Sequence, residues 1–289
     1  MEEKILDGKT LADKLNLALQ NEISSVVAKT GIRPKLVTIL VGEDPASKVY
    51  LNMKKRTSAS VGMGSEILEL DEHISKEKII EEINKLNSND NIHGILLQLP
   101  LPKSQTSNTL KYIENISPKK DVDGLTPVNK GKLYDYNETL APCTPKGIIT
   151  LLEYYNIELK GKEVVIINRS NLVGKPLIFM MLKRNATITV CHTSTINIES
   201  HMRRADILVV AVRHPNFITK EKIKDGAIII DVGINRVNGK LCGDVNFEDV
   251  YEKISKIAPS PGGIGPLTVH FLLRNTFTAY KNQLNYSQN

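Results

Sequence analysis

The sequence predicts an α/β protein of two domains, on three observations. Segments with apolar residues at helical spacing alternate with short runs rich in Val, Ile and Leu. At 289 residues the chain is longer than one core ordinarily serves. The alternation breaks once, in a connection from Ser117 to Ala141 rich in Pro, Gly, Asp and Lys, and then resumes.

Leu11 to Val27 has helical spacing behind the start signal Asp7-Gly8-Lys9-Thr10. Lys35 to Val41 (K-L-V-T-I-L-V) predicts a buried strand. In Gly42-Glu43-Asp44-Pro45 a turn ends on a proline suited to the first helical position, with Asp44 as N-cap. The helix that starts there fades near Gly62. It sets Tyr50 and Lys54 four residues apart on one face. A phenol and an amine at a cleft wall hold a carbonyl or steer a proton; otherwise they are a half-buried tyrosine beside a solvated lysine.

Ser65 to Leu70 is the next strand, and Ser75 opens a helix that runs to Leu86. Gly94 to Gln98 (G-I-L-L-Q) is a third strand, stopped by Pro100 and Pro102. Gln98 therefore stands at a strand's C-terminal end, where open α/β sheets keep their ligands. Ser107 to Ile116 is a short helix. The connection from Ser117 to Ala141 is read as a functional loop or linker. Within it, Lys120-Asp121-Val122-Asp123-Gly124 is turn chemistry, or an acceptor for the paired N–H groups of an amino-substituted heterocycle.

Thr144-Pro145 starts a helix over Lys146 to Tyr155, and the domain change is placed there. Glu163 to Ile167 is a strand. The polar loop Asn168 to Pro176 follows, then the helical run Leu177 to Lys183. Strand, polar loop and helix is the order of a phosphate-binding turn, although the glycines of G-x-G-x-x-G are missing. The next strand, Thr187 to Cys191, runs into His192-Thr193-Ser194 with no acidic residue to take ribose hydroxyls. Arg169 is available to a 2′-phosphate, which favours NADP over NAD; as a plain surface arginine it says nothing.

Ile207 to Val210 and Ala227 to Asp231 are two more strands. They lead into the loops Val212-Arg213-His214-Pro215 and Val232-Gly233-Ile234-Asn235. Pro259 to Pro266 is the densest Pro/Gly stretch, either a turn back to the first domain or a backbone open to a ligand. A final helix is expected from Leu267 to Asn282.

Composition closes off several classes. No apolar run reaches the roughly eighteen residues of a membrane span. The amino terminus has no apolar signal core, so a cytoplasmic location is expected. Cys143, Cys191 and Cys242 lie far apart with no C-x-x-C pair, giving neither a zinc site nor a disulfide framework. The six histidines make no ligand spacing, so no metal is expected, and His192 and His270 are read as structural. A Ser-His-Asp centre lacks its G-x-S-x-G elbow. The net charge of +6 comes from lysines scattered among glutamates, without Trp or a basic block, so nucleic acid is not the expected partner. A small anionic ligand accounts for the excess equally well.

Six motifs taken in order resemble one family over nearly the whole chain. They are V-G-E-D-P-A-S-K-V-Y-L-N-M-K (41–54), G-I-L-L-Q-L-P-L-P (94–102), K-D-V-D-G-L (120–125), R-S-N-L-V-G-K-P (169–176), D-V-G-I-N-R (231–236) and P-G-G-I-G-P-L-T (261–268). Each is modestly informative; their order and spacing together are specific. The chain is similar to the methylenetetrahydrofolate dehydrogenase/cyclohydrolase family, of the bacterial bifunctional FolD type.

The resemblance implies an N-terminal α/β folate-binding domain over 1–141, completed by 267–289. It implies a Rossmann-like NADP-binding domain over 142–266, with the active cleft between the two. The implied activity is NADP-dependent oxidation of 5,10-methylenetetrahydrofolate to the 5,10-methenyl form, then hydrolysis of that to 10-formyltetrahydrofolate, by a homodimer. Lys54 is implied as the catalytic residue of the hydrolysis. Tyr50 is implied to lie along the folate ring, Gln98 to orient Lys54, and Asp123 to hold the pterin's amino-pyrimidine edge. Pro261, Gly262 and Gly263 join the folate contacts. Asn168, Arg169, Ser170, Thr193, Ser194, Arg213, Val232 and Ile234 are implied cofactor contacts. Chemically, water attacks a cationic amidinium carbon, and a lysine beside that cation gives up its proton more readily.

The departures from the family pattern cluster in the nucleotide half. Asn168 stands where the family has glycine and is read as a residue tolerant of a left-handed backbone. Arg213 stands in a small-Gly-x-Pro turn, where its side chain either blocks the dinucleotide or adds a phosphate contact. Ser194 replaces a common basic residue, and Ala258 and Ser260 soften the usual T-P-V-P-G-G run. A second reading is therefore a cyclohydrolase with weakened or lost dehydrogenase activity.

Overall fold

A computed structural model describes residues 2–42 and 45–286, with the backbone alone for residues 2 and 45–50. Two compact units emerge. One comprises Lys14–Ala141 with Val269–Asn289, the other Met1–Asp13 with Pro142–Thr268.

The first unit begins with most of helix α1 (Gly8–Thr30) and strand β1 (Lys35–Val41), six of whose seven residues are buried. Helix α2 (Pro45–Ser60) leads to β2 (Gly64–Leu70), and α3 (Lys76–Ser88) to β3 (Gly94–Leu97). The three strands pair in parallel in the order β2-β1-β3, with Leu36 opposite both Ser65 and Gly94. In such a sheet the chain leaves β1 toward one neighbour and reaches the other only after a second crossover. The order therefore reverses between β1 and β3. Local chemistry sets the elements: the Ser75 hydroxyl accepts from the Lys78 N–H at 3.2 Å and opens α3. Ile79 and Ile83, four apart, are fully buried on its inner face, worth about 2 kcal/mol each.

The connection after α4 (Thr109–Asn115) is more ordered than expected. It contains a helix, α5 (Pro127–Tyr134), capped by Thr126 with Pro127 in its first turn. Asp121 holds the segment from below: its buried carboxylate accepts from the Leu125 and Thr126 N–H groups and from Asn129 Nδ2, at 2.8–3.1 Å. Lys120 is also buried, its ammonium donating to the carbonyls of Leu86, Asn87 and Asn89 that end α3.

The second unit starts with α6 (Cys143–Tyr154) and β4 (Glu163–Ile167). Then come α7 (Gly174–Leu182), β5 (Thr187–Cys191), α8 (Ile198–Arg204), β6 (Ile207–Val210) and β7 (Ile228–Asp231). A hairpin of β8 (Asn235–Val237) and β9 (Lys240–Cys242) follows, then α9 (Phe247–Val250) and β10 (Lys256–Ala258). The five long-range strands are parallel, in the order β10-β7-β6-β4-β5. Counted along the chain this is 2-1-3-4-5 read from the β5 edge, and the order reverses between β4 and β6. β4, β6 and β7 are almost continuously buried Val, Ile and Leu, as strands covered on both faces must be.

The start of the chain belongs to this unit through backbone bonds. Leu6 N–H donates to the Ile257 carbonyl at 2.7 Å and Lys9 N–H to that of Gly262 at 2.9 Å. The last helix, α10 (Ile264–Gln283), begins three residues earlier than its sequence pattern indicates. Among the described residues no helix is long and apolar enough to cross a membrane.

Candidate active site

In the first unit, α2 follows β1 and Gln98 directly follows β3, so both flank the reversal in strand order. Lys54, on α2, donates from Nζ to Gln98 Oε1 at 2.9 Å. The other end of the amide is fixed as well, Gln98 Nε2 donating to the Leu99 carbonyl at 2.8 Å. That bond orients the carboxamide with its oxygen toward the lysine. The lysine thus has a neutral acceptor, which holds its position without adding charge. Both side chains are half-buried.

Asp123 is half-buried in the same unit, two residues beyond the fully engaged Asp121. Of the two carboxylates of K-D-V-D-G, Asp121 is the one that builds the turn. The side chain of Tyr50 and the capping role of Asp44 lie outside the described residues. Pro261, Gly262 and Gly263 belong to the second unit. Gly262 has φ +103°, and the Gly263 N–H closes a turn on the Pro259 carbonyl at 2.8 Å. A side chain at Gly8 would meet the Gly263 carbonyl oxygen at 1.8 Å, so that approach requires glycine.

In the second unit the loops after β4 and β6 meet at the reversal. Asn168 Nδ2 donates to the Ala211 carbonyl at 2.7 Å. Its Oδ1 accepts from Ser170 N–H at 2.8 Å and from Gly174 N–H, at the start of α7, at 3.0 Å. This corrects the expectation of a left-handed Asn168: it is absent from the residues with positive φ. Its side chain, not its backbone, explains the residue. The amide spends two N–H donors that a phosphate-binding turn would offer, so anion recognition there falls to side chains.

Those side chains are available. Arg169, Thr193, Ser194 and Arg213 are exposed, on loops after β4, β5 and β6. Ser170 is half-buried, its Oγ accepting from Val173 N–H at 3.1 Å. Arg213 adopts φ +57°, the left-handed conformation of a glycine turn, with its N–H donated to Asp244 Oδ2 at 3.1 Å. Val232 N–H continues the ladder to the Val210 carbonyl, and Ile234 is exposed. Two cationic side chains and several hydroxyls at one sheet edge fit a dinucleotide carrying an extra phosphate.

His192 and His270 take up structural bonds, His192 Nδ1 accepting from the nearby Ser194 N–H and His270 Nδ1 pairing with the distant Asn16 Oδ1 at 2.8 Å. No group of three or more His, Cys, Asp or Glu able to hold a metal occurs among the described residues. Sequence reasoning missed two buried acids, Asp231 and Asp244. Asp231 lies inside a quoted motif, but nothing in a sequence says that its carboxylate turns inward.

Two family models match the chain: the tetrahydrofolate dehydrogenase/cyclohydrolase catalytic domain over residues 6–123, and the NAD(P)-binding domain of the same enzymes over 142–284. A curated relative from Sulfurihydrogenibium sp., the bifunctional protein FolD, is 49% identical over 97% of this chain and 98% of its own. The crystal structure of the bifunctional FolD dehydrogenase/cyclohydrolase from Campylobacter jejuni is 42% identical with a TM-score of 0.93, covering 96% of this chain and 98% of that one. The Trypanosoma brucei enzyme, solved with NADP and an inhibitor, is 34% identical with a TM-score of 0.91, covering 96% and 97%.

Proposed function

The chain belongs to the tetrahydrofolate dehydrogenase/cyclohydrolase family, and on that premise we propose which residues carry its two reactions. It is a bifunctional enzyme of one-carbon folate metabolism. It oxidises 5,10-methylenetetrahydrofolate to the 5,10-methenyl form with NADP, and hydrolyses the product to 10-formyltetrahydrofolate.

The observation that carries the residue assignment is the Lys54–Gln98 bond at the strand reversal. In the hydrolysis, water adds to the cationic carbon between N5 and N10 and loses a proton. N5 then takes a proton as the C–N5 bond breaks, and the hydroxyl gives up its remaining proton to leave the formyl group on N10, one proton being released overall. Lys54 Nζ is the group that moves these protons, and Gln98 keeps it aimed. Asp123 accepts from the pterin's amino-pyrimidine N–H groups, Tyr50 lies along its ring, and Pro261 to Gly263 add contacts, with bare backbone at the two glycines. Arg169, Arg213, Asn168, Ser170, Thr193, Ser194, Val232 and Ile234 hold NADP, which when bound accepts the hydride. For that step the protein's task is alignment and exclusion of water. The chain acts as a homodimer in the cytoplasm.

Two spectrophotometric assays on one preparation test this. Hydrolysis of methenyltetrahydrofolate and NADP-dependent oxidation of methylenetetrahydrofolate both run, with NADP preferred to NAD. Hydrolysis without any reduction of NADP overturns the cofactor assignment and returns the chain to a cyclohydrolase.

A further inference from the structure

Two acids in the second unit are almost inaccessible, Asp231 at 3% and Asp244 at 0% exposure. Asp231 ends β7, and Asp244 follows the β8–β9 hairpin. Among the described residues neither has a cationic partner within ion-pair distance. Backbone N–H groups take that place. Asp244 Oδ2 accepts from Val212 at 2.7 Å and Arg213 at 3.1 Å, and Oδ1 from His214 at 2.8 Å. Asn235 Nδ2 donates to the same Oδ1 at 2.9 Å. Asp231 in turn accepts from the N–H groups of Gly233, Asp244 and Val245, each at 3.0 Å.

The two acids thus form a chain of supports. Asp231 holds the backbone of Asp244, and Asp244 gathers three successive N–H groups of the turn after β6. Such a run, with one residue left-handed, is a backbone nest, here closed on an internal carboxylate instead of a ligand. Two glycines make room for it. A side chain at Gly233 would lie 2.1 Å from Asp244 Cγ, and one at Gly243 1.8 Å from Asp231 Oδ2. Burial, with the facing Asp244 charge, pushes Asp231 up to about 7 against the pull of its three donors. An arrangement that costs this much is unusual where a hydrophobic plug would fill the same space.

The loops it fixes are those at the C-terminal edge of β6 and β7, beside the strand reversal. We propose that Asp231 and Asp244 are positioning residues for NADP: they set the 212–214 turn and the 232–235 loop in the form that receives the cofactor. The inference rests on the cofactor assignment above. It extends that assignment to two residues that need not touch the cofactor.

Calorimetric titration of NADP into the folded enzyme tests it, with hydrolysis of methenyltetrahydrofolate as the companion readout. Asp244→Asn keeps the shape but replaces one acceptor by a donor that faces N–H groups. Its Kd for NADP weakens by about tenfold or more, as the loss of charge-assisted bonds requires. The hydrolysis rate stays within about twofold, because Lys54 and Gln98 belong to the other unit. Asn235→Ala removes a single donor and weakens NADP binding by about threefold, and it decides the matter should Asp244→Asn not fold. A folded variant with wild-type NADP affinity overturns the proposal, as does a parallel loss of hydrolysis and binding. A wild-type enzyme that binds no NADP overturns the cofactor assignment itself.

Discussion

Lys54 and Gln98 come from elements on either side of the strand reversal in the three-stranded sheet, and a 2.9 Å hydrogen bond joins them. The neighbouring Leu99 carbonyl locks the amide, so the pair is set before substrate arrives. Replacing Lys54 by Met removes the proposed proton carrier. Hydrolysis falls by about a hundredfold or more, while NADP reduction continues and the melting temperature moves little. Gln98→Glu places a charge where a neutral acceptor stood. It stabilises the ammonium form, so the pH–rate profile of hydrolysis moves to higher pH.

Asp121 and Asp123 separate by readout. Asp121→Asn leaves buried N–H groups without a charged acceptor, costing about 1–3 kcal/mol in urea unfolding. Asp123→Ala costs less stability than Asp121→Asn but raises the KM for folate by about tenfold. Equal effects of both changes on stability would contradict the division.

Arg213 holds φ +57°, which costs a non-glycine residue about 1–2 kcal/mol. Arg213→Gly removes that cost but gives back about 0.5–1 kcal/mol in unfolded-chain entropy. The expected net gain is about 0.5 kcal/mol, read from chemical unfolding. The same variant binds NADP more weakly, and its affinity depends less steeply on salt, because one cation has gone. Unchanged affinity and salt slope would remove Arg213 from the cofactor site.

His93 is buried, with Nδ1 accepting the Lys35 N–H at 3.1 Å and its ring edge-on to Tyr280 at 4.9 Å. Nε2 is buried without a partner. Burial, helped by the Lys120 charge, lowers its pKa from 6.5 to about 4. The unfolded chain therefore binds a proton that the folded one refuses. Stability from this group is whole above pH 6.5 and declines toward pH 4, by up to about 3 kcal/mol. His93→Asn keeps an acceptor for Lys35 and flattens this part of the stability curve. An unchanged slope between those pH values would contradict the assignment.

The sequence was most informative where periodicity and punctuation agree. β1, β4, β5 and β6 run over the residues that their apolar patterns predict. Ser75 caps its helix as its position suggests. Elements built from short local signals were harder to read. Helix α5 was hidden in a polar connection, although Thr126-Pro127 is a sound start. The β8–β9 hairpin turns on Asn238-Gly239, both at positive φ, the strongest short hairpin signal. Strand β10 is three residues long and owes its existence to pairing with β7.

By itself the sequence determined the α/β class and the motifs that mark the family, because composition and spacing are properties of the chain. Only the tertiary structure decided what each polar group does with its hydrogen bonds. Asp121 and Asp123 look alike in K-D-V-D-G, yet one is spent on the turn. Asn168 reads as a substitute glycine, yet it bridges two loops. Asp231 and Asp244, thirteen positions apart, act together because the fold brings the Asp244 N–H within 3.0 Å of the Asp231 carboxylate. A buried polar group must find its partner wherever the fold presents one, and that partner is set by packing, not by distance along the chain.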